Sequence, residues 1–145
     1  MDTNSIYQVY FNCKWKIKEE VYSFISKIVS QDSPIAKEEV IHQLNERDKI
    51  GSTLIAEHVV LPHIESDQLK KSQILFIRLA NPIVSWDSQS KNICLVIVIL
   101  LKKNESVNIK KRISLYIRSL ADEEYLNRLL ESHEEEDFME KIIEF

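Results

Sequence analysis

Glycine is almost absent from this chain, which has one glycine, three prolines and two cysteines among its 145 residues. A glycine-rich loop that cradles the phosphates of a mononucleotide is therefore excluded. The two cysteines, Cys13 and Cys94, lie too far apart in sequence to indicate a disulfide framework or a metal cage. The longest apolar run, Ile93 to Leu101, has nine residues, about half of what a membrane-spanning helix requires.

An excess of positive charge is also missing. The formal net charge is −4, which argues against non-specific binding to nucleic acid or to an anionic membrane surface. The first ten residues lack the basic start and apolar run of a signal peptide, so we expect a cytoplasmic protein without membrane insertion. The length favours a single domain over residues 1–145.

The apolar pattern alternates between helices and strands. Helical spacing predicts two helices, one after Lys18 and one from Pro34 to about Glu46, and further helices after Ser106. Between these helices, extended patterns predict strands, starting with a peripheral one near residues 6–12. The run Ile93 to Leu101 is apolar at successive positions, which is typical of a central strand covered on both faces.

Three further features lie between these elements. We interpret the segment that leads to Pro62-His63 as one apolar strand, Glu65 to Ser72 as a polar loop, and Asn81-Pro82 as the exit turn of the strand Ile74 to Leu79. The predicted fold is α/β, a single domain in which a small mixed β-sheet is flanked by helices on both faces.

His63 is the best candidate for chemistry, because it follows an apolar segment and precedes a polar one. An imidazole has a pKa of about 6.5, so near neutrality one ring nitrogen is free to act as a nucleophile. Arg47 lies upstream, and a guanidinium binds phosphate in a forked geometry. Thr53 adds a hydroxyl donor. These residues indicate phosphoryl acceptance on His63, and the alternative is an ordinary histidine at the end of a strand.

The other histidines and acidic residues give weaker signals. His58 lies five residues before His63, so on a regular strand the two side chains would face opposite sides and would not share a metal. The spacing of histidines and cysteines predicts no metal site, and we expect no cofactor. The basic cluster Lys110 to Arg112 is interpreted as a salt-bridged surface or as a docking patch for an acidic partner.

In order and spacing, these motifs resemble the enzyme IIA domain of the fructose/mannitol class of the bacterial sugar phosphotransferase system. The class motifs correspond here to Arg47-Asp48, Thr53, the segment Ala56 to His63, and the segment Pro82 to Trp86, which has one extra residue. The resemblance extends from about residue 10 to the end of the chain.

This resemblance implies a phosphorelay function. His63 would accept a phosphoryl group from the histidine phosphocarrier protein and pass it to a cysteine of an enzyme IIB domain, while Arg47 would stabilise the phosphate. The specificity for a sugar would lie with other components.

Two departures from the family pattern favour an alternative. The Gly-x-Gly of the class is Ala56-Glu57-His58 here, and the second histidine of many members is missing from the region of Asn108. Asn108 offers a hydrogen bond without the charge of a protonated histidine. The alternative is a regulatory IIA-like receiver or interaction module whose phosphorylation controls a transcriptional regulator. A purely structural domain is a third interpretation.

Overall fold

The computed structural model describes residues 6–142. The chain forms two compact units, Met1–Glu105 and Ser106–Phe145. The prediction of one domain over residues 1–145 stays a prediction. Within residues 6–142 no helix is both long enough and apolar enough to cross a membrane.

The first unit contains two helices and six strands. Their bounds are β1 Tyr7–Cys13, α1 Lys18–Asp32, α2 Lys37–Ile50, β2 Leu54–Ala56, β3 Val59–Val60, β4 His63–Ser66, β5 Gln73–Ser85 and β6 Lys91–Lys102. The strand order is β1-β5-β6-β3-β2, and β4 also pairs with β6. β1 is parallel to β5, β5 is antiparallel to β6, and β3 and β4 are both parallel to β6. The sheet is therefore mixed, as predicted.

β6 is the central strand that its continuous apolar run predicted. Residues Leu95 to Leu100 are all buried, so both faces of the strand are shielded from water. Because side chains alternate along a strand, burial on both faces requires apolar residues at every position. The helices α1 and α2 contribute Ile25 and Leu44, each 0% exposed, to the core that includes Val96 and Val98 of this strand.

Two boundaries differ from the sequence predictions. The second helix runs to Ile50 and not to Glu46, so Arg47 lies in its last turn. β5 continues through Asn81-Pro82, where a turn was predicted. Its pairing with β6 shifts register between Arg78 and Ile83, and such an irregularity accepts a proline that lacks an N–H donor.

The segment before His63 is a hairpin followed by a third strand, and not one strand as predicted. β2 and β3 are antiparallel and join through Glu57-His58. His58 has a φ of 73°, a conformation that reverses the chain and that non-glycine residues seldom adopt. β4 then begins at His63 and extends to Ser66, where a polar loop was predicted.

The second unit consists of three helices, α3 Val107–Ser119, α4 Glu123–Glu131 and α5 Glu135–Ile142, and confirms the helices predicted there. Ser106 caps α3 by accepting the Ile109 N–H at 3.3 Å, and Asp122 caps α4. The hydroxyls of Tyr116 and Tyr125 lie 2.9 Å apart in its buried interior.

Candidate functional site

His63 is the first residue of β4, and its side chain is exposed. The strand alternates, with His63 and Glu65 exposed and Ile64 and Ser66 buried. Ile64 packs into the core shared with α1 and α2. Pro62 precedes the strand and has no N–H to donate. Its carbonyl oxygen accepts the Ile99 N–H at 3.0 Å. The backbone at His63 is thus fastened to the central strand.

Arg47 comes to this site from the last turn of α2, a helix that contacts β4. Its Nη1 donates to the carbonyl oxygen of Gly51 at 3.0 Å, which anchors the guanidinium just beyond the helix end. A guanidinium has five N–H donors, so this bond leaves donors for another acceptor. The charge of Arg47 reaches His63, since it lowers the pKa of that imidazole.

The pKa of His63 lies below its ordinary value for two reasons. Partial burial is the larger cause, because it disfavours the charged imidazolium, and the positive charge of Arg47 is the second. The carboxylate of Glu65, on the same face of β4, acts in the opposite direction. At neutral pH the ring is therefore uncharged, and an uncharged imidazole has a nitrogen lone pair available for attack.

Thr53 lies on the segment between Arg47 and His63. It is only 5% exposed, and its carbonyl accepts the Leu61 N–H at 2.8 Å, two residues before His63. The neighbouring Ser52 hydroxyl is used locally, since it accepts the Leu54 N–H at 3.1 Å. The backbone of Thr53 is thus tied to the chain that leads into His63.

His58 is held at a different place along the sheet. β3 places Val59 opposite Leu95, and β4 places His63 opposite Ile99. Four residues of a regular strand span about 13 Å, so His58, which precedes Val59, lies far from His63. Its Nδ1 donates to the carbonyl oxygen of Asn92 at 2.8 Å, because a carbonyl can only accept. The structure does not bring the two histidines together.

Asn108 is the second residue of α3, in the second unit, and its side chain is exposed. Its participation in the site stays a prediction.

Sequence reasoning missed the role of Asp48. Its carboxylate accepts from Lys18 Nζ at 3.0 Å and from the Tyr22 hydroxyl at 2.9 Å, so it ties the last turn of α2 to α1. Burial and the adjacent Asp48 raise the pKa of Tyr22, which therefore keeps its proton. The signal was the Arg47-Asp48 pair itself. An acidic residue in the last turn of a helix interacts unfavourably with the helix dipole, so its presence there indicates a stabilising contact with another element.

Among the described residues, neither a metal cluster nor an activated thiol accompanies His63. Among residues 6–142, no three His, Cys, Asp or Glu residues lie close enough to hold a metal ion. Cys13 and Cys94 are free thiols. Burial raises the pKa of Cys13 to about 11 and also raises the pKa of Cys94, so both remain protonated and weakly nucleophilic at neutral pH.

Fold and site together define an α/β protein with a neutral, exposed histidine on a strand fastened to its core, under the influence of an arginine at a helix end. The model of the family described as "Phosphoenolpyruvate-dependent sugar phosphotransferase system, EIIA 2" matches residues 4–145. The chain belongs to this family, which confirms the resemblance stated from its sequence motifs.

Relatives of two kinds are similar in sequence. The multiphosphoryl transfer protein of Shigella flexneri is 30% identical over 108 residues, which are 74% of this chain and 12% of that protein. The nitrogen regulatory protein of Klebsiella oxytoca is 25% identical over 129 residues, covering 88% of this chain and 79% of that protein. The chain thus spans a small part of the first relative and most of the second.

Solved structures share the fold. The nitrogen regulatory protein IIA-Ntr of Neisseria meningitidis superposes with a TM-score of 0.76 at 18% identity, covering 95% of both chains. Enzyme IIAMTL of Escherichia coli, in its complex with phosphorylated enzyme IIBMTL, gives a TM-score of 0.70 at 18% identity, covering 96% of this chain and 99% of that one. At this identity the likeness shows the fold, and it confirms the predicted α/β class.

Proposed function

We propose that this chain is a phosphoryl carrier of a sugar phosphotransferase system, and that His63 is the residue that carries the group. The observation behind the proposal is the exposed imidazole at the start of β4, whose pKa is lowered by burial and by Arg47. Such a ring combines the two properties that a phosphoryl acceptor needs, a free lone pair and access for a partner.

The proposed reaction has two transfers. A ring nitrogen of neutral His63 attacks the phosphorus of a phosphohistidine on the histidine phosphocarrier protein, and the donor P–N bond breaks as the new one forms. The proton on the other nitrogen of His63 is lost, and the leaving imidazole takes one up. A cysteine sulfur of an enzyme IIB domain then attacks the phosphorus, the P–N bond to His63 breaks as the P–S bond forms, and the thiol proton ends on His63.

Arg47 and Thr53 would stabilise the group in transit. The phosphoryl group spreads its charge over three oxygens as it moves, so fixed N–H and O–H donors stabilise the transition state. The bond from Arg47 to the Gly51 carbonyl already orients the guanidinium. Less side-chain freedom is then lost when the phosphoryl oxygens bind.

Two findings support the choice of partners. The family is part of a phosphoenolpyruvate-dependent system, and a solved structure of similar fold is bound to phosphorylated enzyme IIBMTL. We therefore propose the histidine phosphocarrier protein as donor and an enzyme IIB domain as acceptor, both met in the cytoplasm.

The test is a phosphorylation assay. The purified chain is incubated with labelled phosphoenolpyruvate, enzyme I and the histidine phosphocarrier protein, and we expect acid-labile, base-stable label on the wild type. His63→Ala should abolish the label. The matched control His58→Ala should retain it, because His58 lies elsewhere on the sheet. Absence of label on the folded wild type, or label that survives His63→Ala, would contradict the proposal.

A regulatory receiver is the second candidate. It is favoured by the match over most of the length of nitrogen regulatory proteins and by the presence of Asn108 where many family members carry a second histidine. Onward transfer distinguishes the two functions. Phosphorylated chain is mixed with enzyme IIB domains of the fructose/mannitol class. Label that moves to the IIB cysteine supports the carrier, and label retained on His63 supports the receiver.

A further inference from the structure

Helix α3 is the most basic element of the chain. Its 13 residues include four basic residues, Lys110, Lys111, Arg112 and Arg118, and no acidic residue. From the sequence alone, this cluster could be salt-bridged or available to a partner. None of the four belongs to an ion pair among residues 6–142. The cluster is therefore not neutralised within the described part of the chain.

The exposed face of α3 combines these cations with apolar side chains. Val107, Lys111, Leu115 and Arg118 are spaced by four, four and three residues, so they form one stripe along the helix. Val107 is 81% exposed and Leu115 is 54% exposed. Ile113 and Tyr116 are the residues that α3 buries, on the side away from this stripe. The stripe has the composition of a docking surface, with an apolar residue between cations.

The same unit carries a surface of opposite charge. Residues 120–142 contain nine acidic and two basic residues. On α5, Glu136 and Glu140 are exposed and flank Met139, which is 36% exposed. Within the described part of this segment, one ion pair joins Lys141 Nζ to Asp137 Oδ2 at 3.1 Å. On α5, Met139 is thus exposed between acidic residues. On α3, Leu115 is exposed between cations.

We propose that the α3 stripe of one copy docks on the acidic α4–α5 surface of a second copy. Two copies related by a twofold axis would make this contact twice and close the assembly as a dimer. Leu115 and Met139 would contribute apolar contact, and the cations and carboxylates would set the orientation. The net charge of each copy is −4, so the bare copies repel and the local complementarity must overcome this repulsion.

Sedimentation of the full chain over a range of concentrations tests the proposal. We expect a reversible dimer whose dissociation constant rises with salt, because the attraction is between exposed charges. The variant Lys111→Glu/Arg118→Glu and the variant Glu136→Lys/Glu140→Lys should each weaken dimerisation by at least about tenfold. The double reversal Lys70→Glu/Lys71→Glu, at two exposed loop positions outside α3, changes the net charge as much as Lys111→Glu/Arg118→Glu does and is its matched control.

Mixing the two charge-reversed variants gives the decisive result. In a mixed dimer both contacts again join opposite charges, so an equimolar mixture should associate although neither variant does so alone. Leu115→Ser should weaken the wild-type dimer at high and at low salt alike. Circular dichroism of each variant shows whether it is folded before it is compared.

Three outcomes would overturn the proposal. They are a wild type that stays monomeric at all concentrations in low salt, folded reversals that dimerise as the wild type does, and a mixture that fails to associate. Binding of the wild type to anionic phospholipid vesicles, lost in Lys111→Glu/Arg118→Glu while the protein stays monomeric, would assign the stripe to a membrane surface instead. None of these experiments depends on phosphorylation of His63.

Discussion

At the scale of single residues, His63 remains neutral through two separable influences. Burial belongs to the position of β4, whereas the electrostatic contribution belongs to Arg47. The first is fixed by the backbone, and the second can be removed by one substitution. The two can therefore be measured apart.

Replacing Arg47 separates charge from geometry. Arg47→Ala should raise the pKa of His63, which would still lie below its ordinary value because the burial remains. Arg47→Lys should leave the pKa lowered but slow phosphoryl acceptance, because an ammonium lacks the forked donors of a guanidinium. The pKa is measured by NMR titration of the imidazole, and the rate by the labelling assay.

An unchanged pKa of His63 in Arg47→Ala would show that the arginine does not act on the imidazole. Equal labelling rates in Arg47→Lys and the wild type would show that charge alone suffices.

Gly51 and His58 have backbone conformations that the residue types alone do not indicate. Gly51 is the only glycine, yet its φ of 167° is extended backbone, and a Cβ there would meet nothing within 4 Å. The left-handed turn is made instead by His58, with a φ of 73°. From composition alone, the single glycine would be the expected position of a left-handed turn. The turn depends on the bond from His58 to Asn92, which is distant in sequence.

At the scale of elements, the end of α2 determines where Arg47 lies. Asp48 holds this turn against α1 through Lys18 and Tyr22, and the side chains of Lys18 and Asp48 are only 16% and 19% exposed. A partly buried pair of this kind loses more when one partner is removed than an exposed pair does, because the other partner stays unpaired.

Asp48→Ala should therefore lower the free energy of unfolding by about 1 to 3 kcal/mol, since the Tyr22 hydroxyl and Lys18 lose their acceptor. Urea unfolding followed by circular dichroism measures the change. Glu46→Ala, two residues earlier on α2, removes only exposed contacts to Lys49 and His42 and should have a clearly smaller effect. Similar losses in the two variants would mean that Asp48 does not anchor the turn.

The elements that sequence predicted well are those whose burial repeats regularly. α1 keeps the same side against the core along its whole length, and β6 is covered on both faces, so the apolar pattern of each is regular. The hairpin β2–β3 was missed because Leu54 and Ile55 are both exposed, at 39% and 38%, which removes the alternation of a half-buried strand. β4 was missed because His63 and Glu65 give it a polar outer face.

For the candidate site, the sequence nominates residues but does not give their arrangement. The sequence named His63 and Arg47, since both residue types suit phosphate chemistry. It could not show that β3 and β4 lie end to end along β6, which separates His58 from His63. Such pairing depends on contacts between distant segments, which local patterns do not encode.

At the scale of the whole molecule, His63 links stability to pH. Its folded pKa is lowered, so the unfolded chain binds the proton more readily. The contribution to stability is complete above the unfolded pKa of about 6.5 and is lost as the pH falls toward the folded pKa. We expect the free energy of unfolding to fall less steeply between pH 7.5 and 5 in His63→Gln than in the wild type, because the variant lacks the group whose pKa is lowered on folding.

Denaturant titrations at several pH values measure this difference. The carboxylates titrate in both proteins, so their contribution cancels when the two curves are subtracted. Parallel curves would show that the proton affinity of His63 does not change on folding.

The parallel pairing of β4 with β6 has a consequence for how such a domain can diversify. The ring of His63 is attached to the central strand β6 through the Pro62 carbonyl and the Ile99 N–H. Substitutions at exposed helix positions can therefore change the surface of the protein without moving His63. Under the proposed function, the chemistry would be inherited with the core while the choice of partner is free to evolve, and one scaffold would serve either transport or regulation.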